Sequence, residues 1–404
     1  MSHLQLDLQN LVRPNILKLI PYRCARDDYD NGILLDANEC SYGSCIPMEG
    51  DMNRYPSPYN FDLKEKIAKY RGVRKEQIYL GVGSDEAIDM VVRVFCTPGE
   101  GSLLITPPTY GMYKVRLKKL LQEPLEKFPL SSKVVRVSTQ AKWYILKSCR
   151  TFSQVVADIN NVQVISVPLT EEFHLPVDEV VDAVTPQTHV IFLCSPNNPT
   201  GNTLATDRII ALLERFEGIV VIDEAYVDFS TCGSLCYLLD KYPRLVILQT
   251  FSKAFGLAGI RFGMAIAHED IIAIFNKVKF PYNISKLTAS VAHKALDNVH
   301  LMEANVKSIA EQKERIIEEL EKIPTVRKIF PSDSNFVFLR IDHAYEIYKK
   351  MASEKGVVIR YQGSKVHCKD CVRITVGTSE ENDELLKTLK KTIAELDEAP
   401  NGSV

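Results

Sequence analysis

Three stretches of the chain, VIFLCSP (190–196), GIVVIDEAY (218–226) and RLVILQTFSK (244–253), are continuously apolar through their middles and then break into polar residues. A strand with one wet face alternates apolar and polar side chains, so an unbroken apolar run must be covered on both faces. QIYLGVG (77–83) and SLLITPP (102–108) have the same form, and amphipathic helical stretches lie between the runs. This order predicts an α/β fold with a mainly parallel sheet sandwiched by helices. In such sheets ligands bind beyond the C-terminal strand ends. All five runs deliver polar residues there: Gly83, Ser84 and Asp85; Thr109 and Tyr110; Asn198 within NNPTG; Asp223, Glu224 and Tyr226; Ser252 and Lys253. Turn chemistry explains any one of these endings, but five together predict a site.

The bulk properties narrow its function. A chain of 404 residues can bury a large core and carry a second domain. Its net charge of −2 gives no general attraction to nucleic acid or an anionic membrane. No apolar run reaches the ~18 residues of a membrane span, and the opening MSHLQLDLQNLVRPN lacks the apolar core of a signal peptide. With ten scattered cysteines, this predicts a cytoplasmic protein with reduced thiols. Cys368 and Cys371 form one CxxC with no second pair, and Cys232 and Cys236 lie in a turn-rich stretch, so no metal site is expected. Walker A, HExxH and GxGxxG patterns are absent.

TFSKAFGLAGIRFG (250–263) sets Lys253 among small and apolar residues, where an ammonium shifts its pKa or reacts. Gly83, Ser84 and Asp85 open a helix whose free N–H groups suit a phosphate, and Arg261 adds a bidentate donor that keeps its proton. Asp223 ends an apolar strand and is costly there unless it meets a cation or a strong donor. Tyr226 and Asn198 offer a hydroxyl and an amide, and Tyr110 a flat ring. A phosphorylated pyridine aldehyde, pyridoxal 5'-phosphate, would satisfy the whole set. Lys253 would take the aldehyde, Asp223 would keep the ring nitrogen protonated, and Tyr226 with Asn198 would bond the ring oxygen. Tyr110 would cover the ring, and Ser252 joins the cofactor contacts.

SPNNPTG, DEAY and SKAFGLAGIR resemble the signature blocks of the fold-type I, pyridoxal-phosphate-dependent aminotransferases. RPNILKLIPY (13–22), LLDANE (34–39), NRYPSP (53–58), GVGSDEAID (81–89), PPTYGMYKV (107–115), KFPYNIS (279–285), PSDSNFVF (331–338) and CVRITVGT (371–378) resemble, more narrowly, the histidinol-phosphate aminotransferases. The likeness runs from residue 13 to about 390. It implies a large cofactor domain (46–285) with a seven-stranded sheet, and a smaller α+β domain made of the N-terminal arm (1–45) and residues 286–404. It also implies a homodimer in which Tyr55 reaches the partner's cofactor phosphate. The implied reaction is a ping-pong transfer of an amino group between L-histidinol phosphate and 2-oxoglutarate, in histidine biosynthesis. Arg373, awkward in the strand-like CVRITV without an anion, matches the family arginine for the substrate phosphate or carboxylate. Arg360 matches a second anion contact and Tyr22 the tyrosine that closes over the substrate; Asn38 and Glu39 lie in the same block. Other members of the fold, an aromatic or dicarboxylic aminotransferase or a threonine-phosphate decarboxylase, stay open at this point, as does a non-catalytic relative.

One segment departs from the pattern. Between PPTYGMYKV and ADINNVQVISVPL, residues 115–154 carry nine Lys and Arg against two Glu, and the single Trp143. It reads as a surface insertion with an anionic partner, a disordered loop, or translated intron sequence. Removing it rejoins YGMYK to VVADIN in frame, and the codons of Val115 and Gln154 are compatible with splice borders. It is expected to pack poorly and lack a fixed structure.

Overall fold

The computed structural model describes residues 6–28, 31–33, 35–48, 50–110 and 156–398; the atypical segment 115–154 lies outside them. Among the described residues the large sheet has seven strands: β1 (Ile78–Val82), β2 (Ser102–Ile105), β3 (Gln163–Ser166), β4 (Thr188–Cys194), β5 (Ile219–Asp223), β6 (Leu245–Thr250) and β7 (Phe262–Ala267), in the order β1-β7-β6-β5-β4-β2-β3. β3, β2, β4, β5 and β6 run parallel, and β7 is antiparallel to both of its neighbours. This is the predicted mainly parallel α/β sheet.

The reason for the continuous apolar runs is visible strand by strand. On β5, Val220 and Ile222 enter the core on one face of the sheet while Ile219 and Val221 enter the core on the other. On β6, Leu245 and Ile247 face one side, Val246 and Leu248 the opposite one. Each such side chain, fully withdrawn from water, contributes about 1.5–3 kcal/mol. A polar residue is therefore excluded until the strand ends, which is where the site begins.

A second sheet of four antiparallel strands, β8 (Val326–Phe330), β9 (Phe336–Ile341), β10 (Arg360–Tyr361) and β11 (Cys371–Thr375), has the order β10-β11-β9-β8. Its two faces do different jobs. Val337, Leu339, Val372 and Ile374 join a core with helices Val299–Glu321, Ala344–Glu354 and Ser379–Asp397. Phe330 and Phe338, on the other face, pack on Phe173 at 5.1 and 5.9 Å and belong to the large unit's core. Arg373 pairs in register with Phe338 and so shares its face. The period of two thus turns Arg373 toward the large sheet.

The N-terminal arm differs from expectation. Val12 and Ile16 belong to the core between the large sheet and helices Gly83–Phe95 and Glu269–Val278, not to that of the four-stranded sheet. Arg13 donates to the Arg93 carbonyl at 2.8 Å, and Lys277 to that of Leu17 at 3.1 Å. Val12, in the extended link after helix Leu8–Leu11, and Ile16, in helix Pro14–Leu17, both turn into that core. Among the described residues no helix is long and apolar enough to cross a membrane. Cys368 and Cys371 are buried in the core, and no disulfide joins the described cysteines.

Candidate active site

The strand ends β1, β4, β5 and β6 converge on a cavity with about 490 Å³ of empty space, part of it open to solvent. Ser84, Asp85, Tyr110, Asn198, Asp223, Tyr226, Ser252, Lys253 and Arg261 line it. Nine of the residues expected from sequence are thus brought together from positions up to 177 residues apart.

Asp223 is the last residue of β5 and is 2 % exposed. Its Oδ1 accepts the Ala225 N–H at 3.1 Å, which fixes the carboxylate as the chain leaves the strand. Tyr226 is also buried, its ring edge-on to Phe336 at 5.4 Å. Asn198 Nδ2 approaches the Tyr226 hydroxyl at 3.4 Å, and its Oδ1 accepts Arg373 Nη1 at 2.6 Å. Asn198 therefore links the large sheet's site to the small sheet's arginine.

Lys253 is presented by a tight turn after β6. Phe251 stacks on Phe255 at 4.0 Å, and the Gly256 N–H closes on the Lys253 carbonyl at 2.9 Å. The side chain is open to the cavity, with Nζ 5.5 Å from the Tyr226 ring centre. Burial of the ammonium among protein groups, reinforced by Arg373, pulls its pKa below the usual lysine range; Asp223 and Asp85 oppose this. Burial raises the hydroxyl pKa of Tyr226, against the pull of Arg373, and that of Tyr110, where Asp85 adds to it, so both stay protonated donors.

The opposite end of the cavity is built around helix Gly83–Phe95. Gly83 has φ +71°, and a Cβ there would meet Arg261 Nη2 at 2.6 Å. Gly263 is equally constrained: its Cβ would lie 2.4 Å from the Ser84 nitrogen. Two glycines thus let the helix start, the guanidinium and β7 meet. Arg261 Nη2 bonds Asp85 at 3.1 Å, Tyr110 donates to the other Asp85 oxygen at 3.2 Å, and Arg261 Nη1 reaches Ser252 Oγ at 3.4 Å. Thr250 donates to Ser252 at 2.9 Å. Free N–H groups of a helix start, two hydroxyls and a guanidinium are a donor set suited to a phosphate.

Arg373 lies at the rim, its guanidinium 5.2 Å from the Phe336 ring centre and its Nε buried with no hydrogen-bond partner. Arg360 is exposed on β10. Three expected residues lie elsewhere. Tyr55 stacks on Tyr282 at 4.7 Å, Tyr22 meets the same ring edge-on at 6.4 Å, and Asn38 and Tyr55 border a separate, open cavity with Pro281 and Tyr282. Glu39 is held at a pKa of about 2, chiefly by its hydrogen bond from Arg26, and anchors the Tyr55 backbone at 2.6 Å.

Sequence reasoning missed Thr250 and Cys194 in the lining, and Asn197, which holds the Pro108 carbonyl at 2.8 Å. Thr250 carried a signal, being the first polar residue after the β6 run; Asn197 carried none beyond its turn.

Comparisons with known proteins follow the same lines. The family model "Aminotransferase class I and II" matches residues 31–133 and 151–389, leaving out 134–150 inside the atypical segment. The histidinol-phosphate aminotransferase of Cytophaga hutchinsonii is 42 % identical over 385 residues, covering 95 % of this chain and 98 % of that protein. That of Bacteroides fragilis is 42 % identical over 387 residues, covering 95 % and 99 %. Among solved structures, the histidinol-phosphate aminotransferase of Sinorhizobium meliloti in complex with pyridoxal-5'-phosphate superposes with a TM-score of 0.68 at 23 % identity, covering 89 % and 90 %. By its matched length and its identity to these relatives, the chain belongs to the class I and II aminotransferases and, within them, to the histidinol-phosphate aminotransferases.

Proposed function

We propose that this chain uses pyridoxal 5'-phosphate to transfer the amino group between L-histidinol phosphate and 2-oxoglutarate, giving imidazole-acetol phosphate and L-glutamate. The observation that carries the reading is one cavity holding an amine of lowered pKa, a buried carboxylate at a strand end and a phosphate cradle. The donor set fits the cofactor: the cradle faces anionic oxygens, and Gly83 and Gly263 leave no volume for side chains that would fill it.

When bound, the cofactor withdraws electrons from the Cα–H bond of a bound amine and makes that proton removable. Asp223 keeps a proton on the ring nitrogen, since a buried anion is best satisfied by a cation beside it. Tyr226 and Asn198 would donate to the ring oxygen, and Tyr110 would cover the ring. Ser84, Ser252, Arg261 and the helix start hold the phosphate, while Asp85 holds Arg261 and Tyr110 in place. Lys253 supplies the amine for the aldehyde and the base for the substrate Cα proton; its lowered pKa serves both. Arg373 meets the distal anion of either substrate, with Arg360 as a further contact.

The working unit is proposed to be a homodimer. Leu19, Ile20, Tyr22, Ile46, Met48, Tyr55, Phe280 and Leu287 are exposed, and the chain around them is tied together by the Tyr282 ring contacts and by Lys286 on the Asp51 carbonyl. An apolar surface of this extent is suited to a second copy, and Tyr55, Tyr22 and Asn38 would there serve the partner's site. Described cysteines joined by no disulfide suit a cytoplasmic setting.

Steady-state assays and borohydride reduction test the reading. Turnover of histidinol phosphate with 2-oxoglutarate, and label on Lys253 alone after peptide mapping, are expected. Carbon dioxide release from threonine phosphate, or label on another lysine, would overturn it.

A further inference from the structure

The small sheet brings three cations to the rim of the cavity. Arg360 and Arg373 are register partners across β10 and β11, so their side chains leave the same face. After β10 the chain turns back, the Gln362 N–H on the Cys371 carbonyl and the Lys365 N–H on the Gln362 carbonyl, both at 2.9 Å. This turn sends the Lys365 side chain under Thr109, whose carbonyl accepts its ammonium at 3.3 Å. Thr109 adjoins Tyr110 of the cavity wall.

None of the three cations has an ion-pair partner among the described residues. Lys365 also lines a second hollow, and Glu172, which borders it, is already paired with Lys328 at 2.7 Å. Glu171 and Asp370 border the same hollow without bonding Lys365, and Arg340, His367 and Lys369 add positive or neutral groups there. Burial brings the Lys365 ammonium down to about 8; Cys368 opposes this more than the field of Arg373 assists it, and Cys194 more than Arg360. A half-buried cation beside two others, whose hydrogen-bond partner is a carbonyl, is stabilised by an incoming anion.

Resting on the proposed reaction, we infer that Lys365 is a specificity-determining residue: it gives the third cationic contact to the phosphate of the amino donor, and favours that dianion over the carboxylate of the second substrate. A phosphate monoester offers three oxygens and two charges, enough for two guanidinium groups and an ammonium. A carboxylate offers two oxygens and one charge, which Arg373 and Arg360 already satisfy.

The test uses the cofactor-loaded dimer and follows each half-reaction separately in single turnovers by cofactor absorbance. Lys365→Met is expected to lower kcat/KM for histidinol phosphate about tenfold or more, through binding, and that for glutamate less than about threefold. Equal losses with both substrates would show that Lys365 only props Thr109 and Tyr110, and would overturn the proposal, as would no loss with either. Lys365→Arg supplies a second readout that survives a folding failure of the first variant. In the wild type, the ratio of the two kcat/KM values should fall from pH 7 to about 9 as the ammonium loses its proton. Lys253 titrates in both half-reactions and cancels in that ratio. In Lys365→Arg the ratio should stay flat and high; a ratio that falls equally in both proteins would overturn the proposal. A wild-type enzyme that never turns over histidinol phosphate would instead sink the proposed function, and this inference with it.

Discussion

Lys253 owes its lowered pKa to burial first and to Arg373 second, so the proposed reactive amine and the proposed substrate-binding guanidinium are electrostatically coupled. Removing the charge at 373 should let the ammonium keep its proton to higher pH. Arg373→Gln is therefore expected to move the rising limb of the pH profile for cofactor uptake by the apoenzyme upward. It should also weaken binding of both substrates. A limb that stays in place while affinity falls would mean that the two groups act independently. The same guanidinium has a buried Nε without a partner and bonds Asn198 at 2.6 Å, so it is held in position yet keeps hydrogen-bonding capacity for a ligand.

At the scale of elements, strand ends and helix starts decide where chemistry sits, and helix faces decide what is left over. Helix Phe61–Arg71 buries Leu63, Ile67 and Ala68, and on that same face Lys64, 6 % exposed. Burial, with help from Lys279, brings its ammonium to about 8. Its unfolded pKa is near ~10.4, so between about 8 and 10.4 the unfolded chain binds more protons and stability rises with pH. Below pH 8 the folded protein carries the cost of the charge. Lys64→Met is accordingly expected to stabilise the protein by about 1–3 kcal/mol at pH 7 and to make little difference near pH 10. Chemical unfolding midpoints at the two pH values check this; a variant less stable at pH 7 would mean that the ammonium has a compensating partner.

For the whole molecule, the prediction concerns two copies. If Tyr55 serves the partner's site, Lys253→Ala and Tyr55→Ala chains are each weak alone but complementary. A mixed dimer has one complete site: Lys253 from the Tyr55→Ala chain with Tyr55 from the other. Unfolding and refolding an equal mixture should restore about a quarter of wild-type activity, because half of the dimers are mixed and each carries one working site of two. Activity no greater than the sum of the separate variants would place Tyr55 in its own chain's structure, against Tyr282, and nowhere else.

The sequence by itself determined the doubly covered sheet and most of the cavity lining, because a buried strand must be apolar until it ends and polar residues then fall at one edge. Asp223, Lys253, Asn198 and Ser84 were legible for that reason, and the family blocks added their chemistry. Residues 115–154 stood out by interrupting the family blocks and by their charge, and the family match skips part of them. Only the tertiary structure decided the rest. Val12 and Ile16 join the large core because a groove between two helices distant in sequence accepts them. Lys365 reaches Thr109 because a turn carries it across 256 residues of chain separation, a meeting that local periodicity cannot encode. Local sequence fixes which side chains must leave water; which distant groups they then meet is settled by packing.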